Sequence, residues 1–234
     1  MKHLLRLTCV IVCLAVSVSD LSAALIEVGS PMGIMSLDSN SVGTVTPTGP
    51  NSFVWMGAMS NSTLGWEIDW NLIIDEDPKI TGVTAFTNLF PAITNFTFNI
   101  SANSAISIPS PTVNGASTIS VLDTDADGAL MNAQTGGSIY DAFIAASSQQ
   151  TLFNDPFSLV APPQGVNQTG TAWGPQASTV ALNLGDAFGI NHAFALSGLD
   201  QATVNSSFFI VPEPTTLGIV ALGGMMLLHR KRRA

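Results

Sequence analysis

Asp123-Thr124-Asp125-Ala126-Asp127-Gly128 is the stretch of this 234-residue chain best suited to chemistry. Carboxylates at alternating positions can turn toward one point, and a glycine after the third lets the chain double back sharply. Hard divalent cations take such oxygens, and D-x-D-x-D-G is the front half of a calcium loop. Leu130 supplies the apolar residue that follows the turn in such loops. The back half departs from the pattern. Met131 offers no side-chain oxygen, and Gln134 stands where a bidentate Glu is expected. Two readings stay open: weak or structural calcium binding by Asp123, Asp125 and Asp127, or a plain β-hairpin turn with Asp-Gly at its tip, joining strands at 117–122 and 129–132.

Other chemistry is thinner. Glu67 and Asp69 lie two apart on one strand face, and a glycosidase needs two carboxylates flanking a bond; a polar outer sheet face is the better reading of two acids on one strand. Asp75-Glu76-Asp77 beside Lys79 reads as a solvated loop or part of a cation site. Trp173, in a Gly/Pro-rich stretch, is the tryptophan placed to act as a surface platform for a sugar, whereas Trp66 and Trp70 share a face with Ile68 and belong in a core. Between the ends there is one histidine, His192, near Phe188 and Phe194, and no cysteine or arginine. There is no G-x-S-x-G elbow and no phosphate-cradling glycine loop, so no catalytic residue is assigned.

The elements that must position these residues read as strands. Trp66, Ile68, Trp70, Leu72 and Ile74 alternate with polar neighbours, a period of two. Residues 93–100 (ITNFTFNI) place Phe96, Phe98 and Ile100 on one face, with Thr94 read as opposite them and Thr97 and Asn99 near it. Further strands are expected at 178–184, 193–196 and 206–211. Residues 139–146 (IYDAFIAA) are where a helical turn competes, and 156–175 read as a long proline-rich loop. The fold class is all-β, an antiparallel two-sheet sandwich.

Charge and ends give the organisation. Residues 25–211 hold one base, Lys79, against fourteen acids, a net charge of −13. That excludes nucleic acid as a partner, which needs clustered Lys and Arg. Lys2 and Arg6, an apolar run over 7–18 and small residues at Ser22 and Ala24 predict a signal peptide over 1–24, cut after Ala24. The apolar run is short for the alternative, a membrane anchor. Both cysteines, Cys9 and Cys13, fall in this leader, so the exported chain is expected to use no disulfide. The domain body is then 25–210, and 211–234 form the tail.

The tail has three ordered parts: Val211-Pro212-Glu213-Pro214-Thr215-Thr216, an uncharged apolar run over 217–228, and His229 followed by Arg230, Lys231, Arg232 and Arg233. The prolines stop the preceding structure. Twelve apolar residues make a helix of about 18 Å against a hydrocarbon core of ~30 Å, a marginal span that suits transient inner-membrane insertion with the basic end in the cytoplasm. A permanent anchor is the alternative.

In all three parts the tail resembles a PEP-CTERM sorting signal, also labelled an ice-binding protein C-terminal domain. The resemblance implies processing by an exosortase-type membrane protease near Pro-Glu-Pro, and export to the surface or an exopolysaccharide matrix of a Gram-negative-type envelope. The body also resembles a recurring group of PEP-CTERM β-sandwich proteins, through Asp77-Pro78, Thr87-Asn88, residues 123–128, Ile139-Tyr140 and Leu196-Ser197-Gly198-Leu199-Asp200; no activity follows from that. The expectation is a structural or adhesive, non-enzymatic protein of the surface or matrix. The rival readings are a secreted carbohydrate-active enzyme and a carbohydrate- or ice-binding module, the latter without a regular Thr-x-Thr ladder.

Overall fold

The computed structural model describes residues 23–212. The leader before them lies outside the described residues, as do the apolar tail run and the sorting residues Glu213, Pro214, Thr215, Arg230, Lys231, Arg232 and Arg233. In chain order the strands are β1 (Leu25–Ser30), β2 (Gly33–Asp38), β3 (Thr44–Gly49), β4 (Ser52–Asn61), β5 (Trp66–Asp75), β6 (Lys79–Asn88), β7 (Thr94–Asn103), β8 (Pro111–Leu122), β9 (Ala129–Ala133), β10 (Ser138–Ile144), β11 (Ser147–Asn154), β12 (Ser158–Ala161), β13 (Val166–Ala177), β14 (Ala187–Leu196) and β15 (Gln201–Pro212). No helix occurs among the described residues.

The strands form two antiparallel sheets. The first runs β11-β10-β14-β7-β1-β2, with β9 on β14 and β12 on β9; the second runs β13-β8-β15-β6-β5-β4-β3. Period-two patterning decides which faces meet. In β5, Trp66, Ile68, Trp70, Leu72 and Ile74 are buried while Glu67, Asp69, Asn71 and Ile73 face out. Phe86 of β6 packs edge-on against Phe194 of β14 at 5.5 Å and lies 4.6 Å from Phe96 of β7, so aromatic rings join the two inner faces. Aromatic pairs of this geometry contribute about 0.5–1.5 kcal/mol each beyond their burial. Tyr140 of β10 adds a polar stitch, donating its hydroxyl to Ser207 O of β15 at 2.9 Å.

Several sequence expectations fail here for physical reasons. Thr94 is buried on the same face as Phe96, as strand parity demands, and its hydroxyl donates to Ala92 O. Residues 139–146 form no helical turn. They are strand β10 and a two-residue hairpin loop, because Ala145 (φ 47°) and Ala146 (φ 64°) both turn left-handed. The long loop expected over 156–175 is instead β12 and most of β13, joined by a tight turn in which Gly165 N donates to Pro162 O. β13 is an edge strand, exposed along most of its length, so it carries no apolar alternation to read. Residues 178–184 are not a strand. The Gln149 carboxamide accepts from Thr179 N at 3.0 Å and Ser178 Oγ at 2.8 Å, and only an isolated bridge, Leu182 to Ile108, remains.

The Ala145-Ala146 loop carries strain that its residue types do not relieve. Left-handed backbone costs an L-residue about 1–2 kcal/mol, which Asn tolerates and Gly avoids. Replacing the pair by Asn-Gly is expected to raise the thermal midpoint of the full chain by about 4 °C or more. Calorimetry checks this, and an unchanged or lower midpoint would argue against the left-handed assignment.

Candidate metal centre

Four connections between the sheets converge at one end of the sandwich: 89–93 from β6 to β7, 123–128 from β8 to β9, 162–165 from β12 to β13 and 197–200 from β14 to β15. The hairpin reading of 123–128 is thereby corrected. β8 and β9 lie in different sheets, so the Asp-Gly loop arches across the sandwich instead of turning back beside itself. Asp123, Asp125 and Asp127 meet a fourth carboxylate there, Asp200, with one ligand oxygen from each lying within 4.8 Å of the others.

The cluster has a buried half and an exposed half. Asp123 and Asp200 are buried; Asp125 and Asp127 are open to water. Asp123 is held by the backbone: Ala126 N donates to Oδ1 at 3.1 Å and Gln164 N donates to Oδ2. Desolvation would raise its carboxyl, but the N–H donors of Gln164, Gly128 and Ala126 outweigh it and hold the group below the usual carboxylate range. Asp200 accepts from Thr124 N at 3.1 Å and from the Ser197 hydroxyl. Burial, with the nearby charges of Asp125 and Asp123, pushes it up. Asp125 is also pushed up, by desolvation and then by Asp127. Ala126 (φ 73°), Gln164 (φ 57°) and Leu199 (φ 59°) are all left-handed at this end, so backbone strain is concentrated where the carboxylates meet.

Asp200 was not legible as a ligand from the motif. It sits 73 positions past Asp127, and its only sequence signal was its place closing Leu196-Ser197-Gly198-Leu199-Asp200. It supplies the carboxylate that the loop lacks at Gln134, whose amide instead donates to Phe96 O at 3.0 Å. Met131 is in the core. Carboxylate oxygens from four residues, completed by water, suit a hard divalent cation, and such an ion would relieve the repulsion that adds to desolvation in raising Asp125 and Asp200.

The remaining candidates are not brought together. Glu67 and Asp69 stand on the outer face of β5. Glu76 is buried, not solvated; its N donates to Asn51 O and its O accepts from Ala105 N. Asp77 accepts from Asn51 Nδ2, and Lys79 lies over the Phe209 ring at 5.4 Å. Trp173 is half-buried against Phe208, with ring centroids 6.1 Å apart, so it is no free-standing platform. His192 is 1% exposed, stacked on Phe98, with Nδ1 3.0 Å from Ile139 O. Ala24, the expected last residue of the leader, is buried, its N donating to Ser39 Oγ and its O accepting from Ser39 N.

These features define an all-β sandwich with a four-carboxylate end. No protein-family model matches the chain, and no curated protein proves similar to it.

Burial pushes His192 down to about 4. The unfolded ring, with an ordinary value near ~6.5, takes up a proton that the native ring refuses. This contribution to stability is therefore intact above about pH 6.5 and is lost as pH falls toward 4, by about 3 kcal/mol. Asp125, Asp141 and Asp200, all raised, act in the opposite sense, favouring the folded state in acid. His192→Asn is expected to be less stable than wild type at pH 8, with the gap shrinking by about 3 kcal/mol between pH 6.5 and 4. Denaturant melts across that range decide it; parallel curves would mean that His192 does not titrate as described.

Proposed function

We propose that this chain is an exported surface or exopolysaccharide-matrix protein, structural or adhesive and not catalytic. In this reading residues 1–24 carry it across the inner membrane. The tail then inserts transiently, and an exosortase-type protease cuts near Pro-Glu-Pro. The observation that carries the reading is the ordered tail: Val211-Pro212-Glu213-Pro214-Thr215, a short apolar run, then Arg230 to Arg233. The fold is compatible with it. β15 ends at Pro212, still paired with Pro111, so a cut beyond Pro212 leaves every described strand of the body intact. The enzyme alternative draws little support, since Glu67 and Asp69 stand on the outer face of β5 and His192 is buried and neutral.

The four-carboxylate end fits this role as a calcium clamp on the sheet connections. Extracellular calcium modules bind at about 10⁻⁴–10⁻³ M, and ~100-fold saturation stabilises by about 2.7 kcal/mol. Calcium at ~10 mM is expected to raise the thermal midpoint by about 5 °C, with chelator reversing the shift. Asp125→Asn is expected to abolish that response while raising the calcium-free midpoint, because it removes a repelled charge. A calcium response equal to wild type in the variant would take the site away from this cluster.

Sorting is tested by the intact mass of native protein recovered from outer fractions of its own host. The expected mass lacks the leader and everything beyond the Pro-Glu-Pro region. Protein found in the inner membrane still carrying Arg230 to Arg233 would make the tail an anchor and overturn the reading.

A further inference from the structure

The outer face of the eight-stranded sheet carries a polar row in strict register. Asp141 of β10 sits opposite Asn191 of β14, Asn191 opposite Asn99 of β7, and Asn99 opposite Glu27 of β1. All four are half-buried and line one open groove of about 450 Å³, together with Phe143 and Ile34. That volume falls in the ~300–1,000 Å³ range of small-ligand sites. At ~4.8 Å per strand the row extends about 14 Å.

Its order is acid, amide, amide, acid. The carboxylates accept hydrogen bonds only, while the amides both donate and accept, so the row matches groups that themselves do both along a line, which describes hydroxyls. Among the described residues Asn99 Oδ1 is buried with no hydrogen-bond partner, an acceptor left wanting a donor. Asp141 is fixed in place by the Ser148 hydroxyl at 2.5 Å, and desolvation raises its carboxyl. The groove is apolar beside the row. Phe143 lies over Gly189, where a Cβ would come within 2.6 Å of the ring, and Ile34 is 74% exposed.

We propose that this groove binds a neutral, hydroxyl-rich glycan, with Phe143 and Ile34 covering the C–H faces of sugar rings and the Asp141-Asn191-Asn99-Glu27 row bonding their hydroxyls. An acidic glycan is disfavoured by the two carboxylates, and Lys79, the one base in residues 25–211, belongs to the other sheet. A compact cation cannot bridge Asp141 and Glu27, because two strands stand between them. The same separation argues for binding without hydrolysis, since a glycosidase pair lies about 5–9.5 Å apart. The inference deepens the matrix reading by giving the body a ligand class, and rests on it only for where that glycan is met.

The test is affinity electrophoresis of the full chain in mild detergent, through gels holding dextran, xylan, mannan, the host's neutral exopolysaccharide, or alginate. At least one neutral glycan is expected to retard the protein and alginate is not. Asn191→Ala and the conservative Glu27→Gln are each expected to weaken retardation about tenfold, with unchanged thermal midpoints, while Asp69→Asn on the other sheet binds as wild type. Failure of every neutral glycan, stronger retardation by alginate, or wild-type binding by folded Glu27→Gln would overturn the proposal. Such a failure leaves the sorting reading standing, because that reading is decided by mass in the host.

Discussion

One carboxamide holds the carboxylate end of this sandwich together. Asn88 is completely buried where β6 leaves its sheet. The two N–H groups of its Nδ2 are shared among Ala92 O, Leu196 O and Ser197 O, all at 2.9–3.0 Å, and its Oδ1 accepts from Phe90 N. Its backbone N donates to Asp200 O. Two sheet crossings, 89–93 and 197–200, therefore close on the same side chain. Chain that leaves a sheet strands its carbonyls, and each buried carbonyl without a donor costs about 1–3 kcal/mol. Asn88 answers several at once, and in doing so fixes where Asp200 can stand.

From that anchor the electrostatics follow. Asp200 is held by Thr124 N and the Ser197 hydroxyl, and Ser197 Oγ also accepts from Leu130 N, at the start of β9. The 123–128 arch is thus hydrogen-bonded to the 197–200 crossing before any ion is considered. What remains unbalanced is charge: four carboxylates converge in a body carrying one base. Desolvation, with the neighbouring carboxylates adding to it, raises Asp125 and Asp200, so a proton relieves part of this and a divalent cation relieves more. The groove on the eight-stranded sheet uses the same scarcity of bases differently. Its acids are spaced by amides along a rigid sheet, so repulsion stays small and hydrogen bonding dominates.

How much of this the sequence disclosed depends on the range of each interaction. Strand β5 was legible in full, because burial of one face imposes a period of two within a single segment. The Asp123-Asp125-Asp127 triplet was legible for the same reason, its chemistry being local. Asp200 was not, since its approach depends on which sheet each strand joins, and nothing near residue 127 encodes that. The Asp-Gly signal misled in an instructive way: the residues that favour a tight reversal serve equally an arch between sheets, and only the partners of β8 and β9 distinguish the two. β10 was ambiguous because Tyr140, Phe143 and Ile144 fall at a helical spacing that competes with strand parity, while the decisive feature is two alanines in a conformation alanine avoids. The groove row was invisible because its members lie on four strands far apart in sequence.

The direction of β15 links the two ends of the molecule. It begins at Gln201, one residue past the buried Asp200, and runs between β8 and β6 to Pro212. Twelve residues at ~3.4 Å each carry the chain about 40 Å. The carboxylate end and the start of the tail therefore sit at opposite ends of the sandwich. β1 also starts at the tail end, where Leu25 pairs with Ser101 at the close of β7. While the tail is inserted, as proposed, the start of the body lies at the same end as the tail and the carboxylate end points away from the membrane. Tension on the tail would enter through a strand paired along both edges, a path that resists shear through many hydrogen bonds at once. A cation at the far end would secure the crossings that such a load reaches last, and the outer face of the eight-stranded sheet, across the sandwich from β15, would stay free to meet a matrix chain.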